Sequence, residues 1–192
     1  MCDNRNEKLK SDFLEMLKIQ NTPYLSWIAT KGELPYIEEY LLTIKVRSYV
    51  LSLRSGRYTV SSVDQCTVKV TLWDSYPHIA PNIRMLSLPS VFHPDWYSKG
   101  TYCASLPWTP HTSLKDYLLR MIRTLCWEPD VMESNAPANY KALDWYRKHR
   151  DNEDLFPSDP VILCENTAEE TEAIKEKLFA LGEIVDSWKV IT

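Results

Sequence analysis

The stretch FHPDWYSKGTYCASLPWTP, residues 92–110, is the part of the chain that decides its fold. Cys103 lies in this stretch, ten residues after the His93 that opens a His-Pro-Asp turn and five residues before a Trp-Thr-Pro corner. Cysteine is the best nucleophile among side chains at neutral pH, because a small fraction of it is thiolate even at an unperturbed pKa of ~8.5. The neighbours of Cys103 should therefore indicate what it reacts with.

Length and composition predict one main domain with no general affinity for polyanions. The chain has 192 residues, of which 44% are hydrophobic, and this is enough for a real core. The net charge of −4 and the lack of a long Lys/Arg cluster argue against nucleic acid and acidic membranes as partners. Apolar runs are broken by charge well short of a membrane span, so we expect a cytoplasmic protein.

The cysteine and glycine patterns exclude several classes of site. The five cysteines include no CxxC pair and their number is odd, which favours reduced thiols over a disulfide framework or a zinc cluster. With four glycines the chain contains neither a GxGxxG nor a GxxxxGK phosphate loop, and GxSxG and HExxH are absent. Nucleotide-binding folds, serine hydrolases and zinc proteases are therefore disfavoured, and no metal site is predicted.

Hydrophobic spacing predicts a first helix followed by strands. Apolar residues recur at helical spacing over 6–20. Enrichment in β-branched and aromatic residues then predicts three strands of an antiparallel meander, and residues 82–88 supply a short further strand. The three segments are YLLTIKV (40–46), RYTVSSV (57–63) and CTVKVTLW (66–73). Repeated prolines predict a long irregular segment over 89–110.

Helical signals return after this segment. Ser113, with Asp116 three residues later, is typical of the start of a helix, which should end before Pro129. Pro137 suits the first turn of another helix, which should run to about Arg150.

The C-terminal region is predicted to contain a linker and one more helix. Residues 151–160 are acidic and punctuated by proline. Thr167 and Glu170 form a capping-box pattern ahead of the last predicted helix. Its apolar stripe should dock either on this domain or on another protein, and consists of Ile174, Leu178, Leu181 and Val185.

Four motifs in register resemble those of the ubiquitin-conjugating enzymes, over residues 12–150. YPHIAP (76–81) is similar to the family's YPxxPP, and FHPDWYSKGTYC (92–103) to YHPNVYxxGxIC. WTPHTSL (108–114) is similar to WSPAxTL, and EPDVMESNAPAN (128–139) to EPNPxxPAN. The resemblance implies an α+β fold with an N-terminal helix, a four-stranded antiparallel meander sheet, a long active-site loop and C-terminal helices. It places the catalytic domain at residues 1–152, followed by an acidic linker and helical extension at 153–192.

The resemblance also implies a function for Cys103. In this family the aligned cysteine accepts ubiquitin or a ubiquitin-like protein as a thioester from an activating enzyme and passes it to an amine, usually of a lysine. No metal or organic cofactor is implied, and the expected partners are the modifier, the activating enzyme and a ligase or target protein. Buried structural roles are the preferred interpretation for Cys66 and Cys126, since cysteine is often buried.

The His-Pro-Asp turn departs from the family's His-Pro-Asn. His93 matches a residue that is mainly structural, and we interpret it as scaffold rather than catalytic base. The family's Asn is the member assigned to chemistry, because its amide can donate to the oxyanion formed when an amine attacks the thioester. Asp95 stands at this position, and an ionised carboxylate only accepts hydrogen bonds. The donor role therefore cannot be inherited unless Asp95 is protonated.

A second departure lies near the path of the incoming lysine. Where the family commonly has Asp or Ser before the proline of the PAN-like corner, this chain has Ala136. One hypothesis is that Asp95 supplies the negative charge that orients or deprotonates the acceptor amine, with Asn135 or a backbone amide stabilising the oxyanion. In the alternative, Asp95 only holds the turn, for which Asp is well suited. Tyr97 matches an aromatic that lines the lysine approach in the family, and packing explains it equally well.

The resemblance points to partner surfaces as well. The basic first helix of relatives meets the activating enzyme, so Arg5, Lys8 and Lys10 are candidate contacts, although a solvated helix face explains them equally well. RING-type ligases usually grip an aromatic in the YPxxPP corner and a Pro-Ala pair in the WSPA corner. This chain has His78 in the first corner and Pro110 and His111 in the second, which disfavours an ordinary RING partner.

Three classes of function are considered for this sequence. The departures from the family pattern suggest a divergent and bacterial member of the conjugating enzymes. A catalytically inactive variant that binds ubiquitin-like proteins is the alternative, but such variants generally lack the cysteine that this chain retains. A cysteine hydrolase using Cys103 and His93 ranks far behind, since a dyad needs both side chains within hydrogen-bond reach and a third, orienting group.

Overall fold

The structure is a computed structural model that describes residues 2–104, 108–132, 135–156 and 163–189. Helices and strands follow one another in an order that begins and ends with helix. The strands and helices are α1 (Cys2–Leu17), β1 (Leu25–Glu33), β2 (Tyr36–Ile44), β3 (Ser48–Arg54), β4 (Arg57–Val63), β5 (Cys66–Thr71), β6 (Asn82–Met85), α2 (Leu114–Leu125), a 3₁₀ turn (Pro129–Val131), α3 (Tyr140–His149) and α4 (Ala168–Lys189).

Four strands form one antiparallel sheet in the order β1-β2-β5-β6. Side chains alternate between its faces, and one face is apolar because Leu42, Val68 and Met85 stand side by side in register and are all buried. Helices α1 and α2 pack together, with Phe13 and Met121 fully buried in the same core as the sheet. The predicted α+β fold with a four-stranded antiparallel sheet is confirmed.

Strands β3 and β4 form a separate hairpin, which corrects the predicted meander. The segment 57–63 was expected between two sheet strands, but it is β4 and pairs only with β3 among the described strands. Strand β2 pairs instead with β5, so that Ile44 and Cys66 face each other across the sheet. The hairpin therefore leaves the sheet and returns to it at neighbouring positions. Strand β1 was not predicted at all.

Helix ends follow the expected capping chemistry with two differences. The Ser113 hydroxyl accepts from the Asp116 amide at 3.4 Å and caps α2, as predicted. The buried Asp12 carboxylate supplies a second acceptor at this end, to the Leu114 amide at 3.0 Å. Helix α3 begins at Tyr140, with the Asn139 side chain as its cap, so Pro137 lies before the helix and not in its first turn.

The C-terminal helix docks on the domain. The Thr167–Glu170 capping box is confirmed, with reciprocal hydrogen bonds of 2.8 and 3.2 Å. Phe179 packs edge-on against Phe13 of α1 with ring centroids 6.3 Å apart, and Ile174 and Leu178 also contact the core. Ile174 and Leu178 of the predicted stripe thus dock on this domain, whereas Leu181 is 51% exposed because it lies beyond the contact with α1. The side chain of Val185 lies outside the described residues.

The segment before this helix is anchored at both of its described ends. Phe156 packs against Trp127 and Trp145 with ring centroids 5.2 and 5.4 Å apart, so the start of the predicted linker is held by the domain. The backbone amide of Asn166 donates to the Lys18 carbonyl at 2.7 Å. The predicted linker residues 157–160 lie outside the described part of the chain. Within that part, none of the helices has both the length and the apolar character needed to cross a bilayer.

Candidate active site

The loop between β6 and α2 ties Cys103 to the His-Pro-Asp turn. The Cys103 amide donates to the Asp95 carbonyl at 2.8 Å, and the Asp95 amide donates to Nδ1 of His93 at 3.0 Å. These two bonds connect the cysteine backbone to a fully buried imidazole. The position of Cys103 is thus set by the turn that precedes it by eight to ten residues.

The residues just before Cys103 extend the edge of the sheet. The Met85 amide donates to the Gly100 carbonyl at 2.7 Å, and the Tyr102 amide donates to the Ile83 carbonyl at 3.0 Å. Gly100 has a φ of +86°, and a Cβ atom built on it would lie 3.1 Å from the Met85 carbonyl oxygen. Only glycine fits this combination of left-handed backbone and close approach without strain. The candidate nucleophile therefore rests on β6 as well as on the turn.

His93 is part of the interior. Its side chain has no exposed surface and its ring centroid lies 4.4 Å from that of Trp127. Burial lowers the pKa of His93 to about 3, with the backbone of Thr124 opposing the shift. An imidazole with such a pKa is neutral at physiological pH and is a poor proton acceptor there. This geometry matches the interpretation of His93 as scaffold.

The Cys103 thiol is partly exposed and lies beside tyrosines. A hydrogen bond to Cys103, followed by the negative charge that its sulfur can carry, raises the pKa of the exposed Tyr97. Burial and the charge on Cys103 together raise the pKa of Tyr117 to about 12. The charge on Cys103 therefore acts on both tyrosines, of which Tyr97 is exposed and Tyr117 belongs to α2.

Of the two cysteines expected to be buried, Cys66 is buried, whereas Cys126 is only partly buried because it packs at the edge of the core. Burial raises the pKa of Cys66 to about 12, and burial followed by the charge of Glu128 raises the pKa of Cys126 to about 12. Cys164 is exposed, but it belongs to the segment that leads into α4. Among these thiols, Cys103 alone is both accessible and part of the loop on the His-Pro-Asp turn.

Two motifs that are distant in sequence meet at the turn. The backbone amide of Asn139 donates to the Pro94 carbonyl at 3.0 Å, and this bond connects the PAN-like corner to the His-Pro-Asp turn. Asp95 is only 3% exposed, and its charge adds to the effect of burial in raising the pKa of Tyr102. Asn135 and Ala136 are both exposed. The structure therefore buries the side chain of Asp95 and leaves Asn135 and Ala136 at the surface.

The two corners expected to bind a ligase are joined to each other. Nε1 of Trp108 donates to the Pro77 carbonyl at 2.6 Å, and its ring lies 5.6 Å from that of Tyr76. His78 and His111 are exposed and Pro110 is partly exposed. The first corner is in turn fixed by a hydrogen bond from the Tyr76 hydroxyl to Asp12.

Two of the three candidate contacts for the activating enzyme form ion pairs within the chain. Arg5 pairs with Glu38 at 2.9 Å. Lys8 pairs with Asp12 at 2.8 Å and donates to the Thr112 carbonyl at 2.7 Å. Lys10 is exposed.

Asp12 is the residue here that the sequence did not single out. It is 1% exposed and accepts hydrogen bonds from Lys8, Tyr76 and the Leu114 amide. Helical periodicity alone gave no signal for it, because a carboxylate between apolar residues usually marks a solvated helix face. In the structure, Asp12 joins α1, the YPHIAP corner and the start of α2.

Comparisons with known proteins agree with this arrangement. A helix, an antiparallel sheet and a cysteine loop held by a His-Pro turn define the ubiquitin-conjugating class of folds. The model of the ubiquitin-conjugating enzyme family matches residues 56–155, just over half of the chain. The chain belongs to the ubiquitin-conjugating enzyme family.

A solved structure shows the same fold at low sequence identity. The crystal structure of a candidate ubiquitin conjugating enzyme from Plasmodium yoelii superposes with a TM-score of 0.50 at 18% identity. The match covers 79% of this chain and 87% of the other. No curated protein matches the sequence significantly.

Proposed function

We propose that the protein is an active conjugating enzyme that carries a ubiquitin-like modifier as a thioester on Cys103 and transfers it to a lysine of a target protein. Membership of the family supports the general activity. The observation that carries the proposal is the placement of Cys103, which is partly exposed and whose backbone amide is bonded to the His-Pro-Asp turn. Cys66 is buried, and Cys126, although partly exposed as well, has a thiol whose pKa burial raises to about 12.

The reaction has two acyl transfers. In the first, the Cys103 thiolate attacks the thioester carbonyl of the charged activating enzyme, a new C–S bond forms, and the thiolate of the activating enzyme leaves. In the second, a lysine amine attacks the Cys103 thioester, a C–N bond forms, the Cys103 thiolate leaves, and the amine loses a proton. The C–S bonds broken and formed in the first transfer are of the same type, so that step needs no further ATP.

Two residues are proposed to act in the second transfer. Asp95 supplies negative charge that orients or deprotonates the amine, and Asn135 donates to the oxyanion. The hydrogen bond from the Cys103 backbone amide to the Asp95 backbone carbonyl holds the two residues side by side, which supports a position for Asp95 near the thiol. In the alternative, Asp95 only holds the turn, and the variants Asp95→Ala and Asp95→Asn separate the two roles.

Exposed residues of α1 and of the two corners are the candidate partner contacts. Lys10 is exposed on α1 and is the best placed of the three basic residues to meet an activating enzyme, since Arg5 and Lys8 are paired within the chain. The exposed His78 and His111 replace the side chains that ordinary RING ligases grip, and we propose that such ligases bind weakly. A cytoplasmic location and a place among bacterial members of the family remain predictions from the sequence.

Charging is the direct test of the proposal. The protein is incubated with ATP, activating enzymes and their ubiquitin-like modifiers, and adducts are separated with and without a thiol reductant. We expect a reductant-sensitive adduct that is absent in Cys103→Ala and retained in the control Cys164→Ala. A modifier that binds without forming this adduct would instead support the inactive binding variant. A hydrolase using Cys103 would release free modifier without transfer to lysine.

A further inference from the structure

Strand β4 has an open edge. Among the described strands it pairs with β3 alone, and most of its residues are exposed, Tyr58 by 72%. The free edge of a strand presents a row of backbone donors and acceptors that can pair with a further strand. Such an edge has to be either protected or paired.

The register of the hairpin shows which backbone groups of β4 point outward. Ser55 and Gly56 both have positive φ and form a two-residue turn, so the pair next to the turn exchanges hydrogen bonds. Bonded and non-bonded pairs then alternate along the two strands. The amides and carbonyls that point away from β3 are consequently those of Tyr58, Val60 and Ser62.

The other edge of the hairpin agrees with this alternation. The same rule turns the Tyr49 carbonyl of β3 outward, and this oxygen accepts from the Phe92 amide at 2.7 Å. In the described part of the chain, the outward groups of β4 have no corresponding backbone partner. One edge of the hairpin is therefore tied to the domain, and the other is left open.

The two edges of the main sheet are protected, unlike that of β4. Irregular pairing interrupts β1 between residues 29 and 32, and Lys31 places a charge there. Strand β6 is covered by the cysteine loop, since the Tyr102 amide donates to the Ile83 carbonyl at 3.0 Å. Residues 58–63 of β4 include no proline and no charge, and their pairing with β3 has no register shift. Proteins usually protect an edge by one of these devices.

We infer that β4 pairs antiparallel with β4 of a second copy of this chain, around a two-fold axis at Val60. A two-fold axis places the same strand on both sides of the contact. Only the register centred on Val60 lets all the outward groups bond, because it sets Tyr58 opposite Ser62 of the second copy and Val60 opposite Val60. The two hairpins then form one four-stranded sheet. This inference goes beyond the proposed function and does not depend on the chemistry of Cys103.

Side chains and charges favour a second copy as the occupant. Leu51 is the cross-strand neighbour of Val60, so the dimer aligns Leu51 and Val60 of one copy with Val60 and Leu51 of the other in one apolar row. Arg57 begins β4 and Asp64 directly follows it, and both are exposed. The antiparallel arrangement brings the Arg57 end of each strand beside the Asp64 end of the other, where opposite charges attract.

Concentration dependence tests the inference on the unaltered protein. Sedimentation of the full chain between about 10 and about 500 µM should show a monomer–dimer equilibrium, because a single strand pair is a small and weak interface. Amide exchange followed by NMR locates the contact. Where about nine in ten molecules are paired, exchange at Tyr58, Val60 and Ser62 should slow by about tenfold. Exchange at Thr59 and Ser61, which already bond to β3, should change little.

A charge exchange at the two-fold axis tests the register. Val60→Lys and Val60→Glu should each weaken dimerisation by about a hundredfold, since like charges then face each other. An equal mixture of the two variants should form a heterodimer within about tenfold of the original affinity, because the facing charges are opposite. The mixture also shows that both variants still fold.

The matched control is Ile28→Lys, which places the same charge at a 59% exposed aliphatic residue of the edge strand β1. It should dimerise like the original protein. Equal weakening in this control, no recovery in the mixture, or slowed exchange that omits Tyr58, Val60 and Ser62 would each overturn the inference. A monomer over the whole concentration range would also overturn it and leave the edge to an extended segment of a different protein.

Discussion

Cys103, Cys66 and Cys126 have the same functional group in different surroundings. Cys103 is partly exposed beside a tyrosine hydroxyl, whereas burial raises the pKa of each of the other two thiols to about 12. At pH 8 a thiol of pKa 12 is ionised in about one molecule in ten thousand, and only the thiolate reacts rapidly with electrophiles. Reactivity should therefore separate the three residues.

Alkylation of the native protein at pH 8 should label Cys103 well before Cys66 and Cys126. Iodoacetamide labelling followed by mass spectrometry of peptides gives the rate at each residue. The exposed Cys164 serves as the reference for an accessible thiol in the same protein. If Cys66 reacted as fast as Cys103, the contrast between the thiols would be wrong.

Variants of Asp95 distinguish a catalytic carboxylate from one that only holds the turn. If it orients or deprotonates the acceptor amine, Asp95→Ala and Asp95→Asn should both slow discharge of charged Cys103 to free lysine, by about a hundredfold. Charging by the activating enzyme should be unaffected, since no amine attacks in that step. Single-turnover discharge measures the effect, with the exposed Asp144→Asn as control.

The two Asp95 variants can also contradict the catalytic role. Discharge that is unchanged in both Asp95 variants would exclude the catalytic role. A loss of thermal stability in Asp95→Ala alone would then assign the buried side chain to the turn. Asn135→Ala, which alters an exposed residue, should slow discharge without affecting stability if its amide contacts the oxyanion.

At the scale of elements, β6 and the cysteine loop behave as one unit. Gly100 and Gly56 both have positive φ, at +86° and +76°, so alanine costs each about 1 kcal/mol of backbone energy. A Cβ at Gly100 also meets the Met85 carbonyl at 3.1 Å, whereas one at Gly56 meets nothing within 4 Å. Gly100→Ala should therefore lower the free energy of unfolding by about 1 kcal/mol more than Gly56→Ala does.

Urea unfolding of the two variants gives this difference. Gly56 lies in the turn of the hairpin β3–β4 and is a close conformational match for Gly100. Gly100→Ala should also slow charging of Cys103, because the loop must shift away from β6. Equal losses of stability in both variants would show that the loop accommodates the extra atom without moving.

Most elements were predictable from local patterns, and the exceptions have physical causes. The capping box at Thr167 and the cap at Ser113 predicted α4 and α2 because caps depend on neighbouring residues. Strand β1 was missed because its side chains beyond Trp27 are exposed, so no apolar alternation marks it. The hairpin was misplaced because pairing of β2 with β5 depends on contacts between distant residues, which spacing within a segment does not contain.

The candidate site was predictable where its residues lie close together in the sequence. Cys103, His93 and Asp95 could be identified because they lie within twelve residues of one another in a motif. The pair of Arg5 with Glu38 could not be identified, because the carboxylate comes from another element. The i,i+4 spacing of Lys8 and Asp12 within α1 permits their pair, but it does not show that Asp12 is buried.

For the molecule as a whole, His93 couples stability to pH. Its pKa in the folded protein is about 3, below the ordinary value of 6.5 that it regains on unfolding. The unfolded chain therefore takes up a proton below pH 6.5 that the folded protein excludes, and stability falls as the pH falls from 6.5 towards 3. Between pH 6.5 and pH 5 this effect amounts to about 2 kcal/mol.

Unfolding in urea at pH 7.5 and pH 5 measures this dependence. We expect His93→Asn to be less stable at pH 7.5 but to lose about 2 kcal/mol less than the original protein on going to pH 5. The exposed His111→Asn should keep the full dependence. A pH dependence that survives in His93→Asn would assign the effect to other groups.

The hairpin β3–β4 makes the fold modular. Because Ile44 and Cys66 face each other, the chain leaves the sheet and re-enters it at one place, and the closing free energy changes slowly with the length of such an insertion. The outer residues of the hairpin, beyond the buried Val50 that pairs with Val91, can thus be lengthened, shortened or exchanged while the sheet register and the thiol loop stay the same. A different hairpin tip can in this way be grafted without rebuilding the sheet or the loop that carries Cys103.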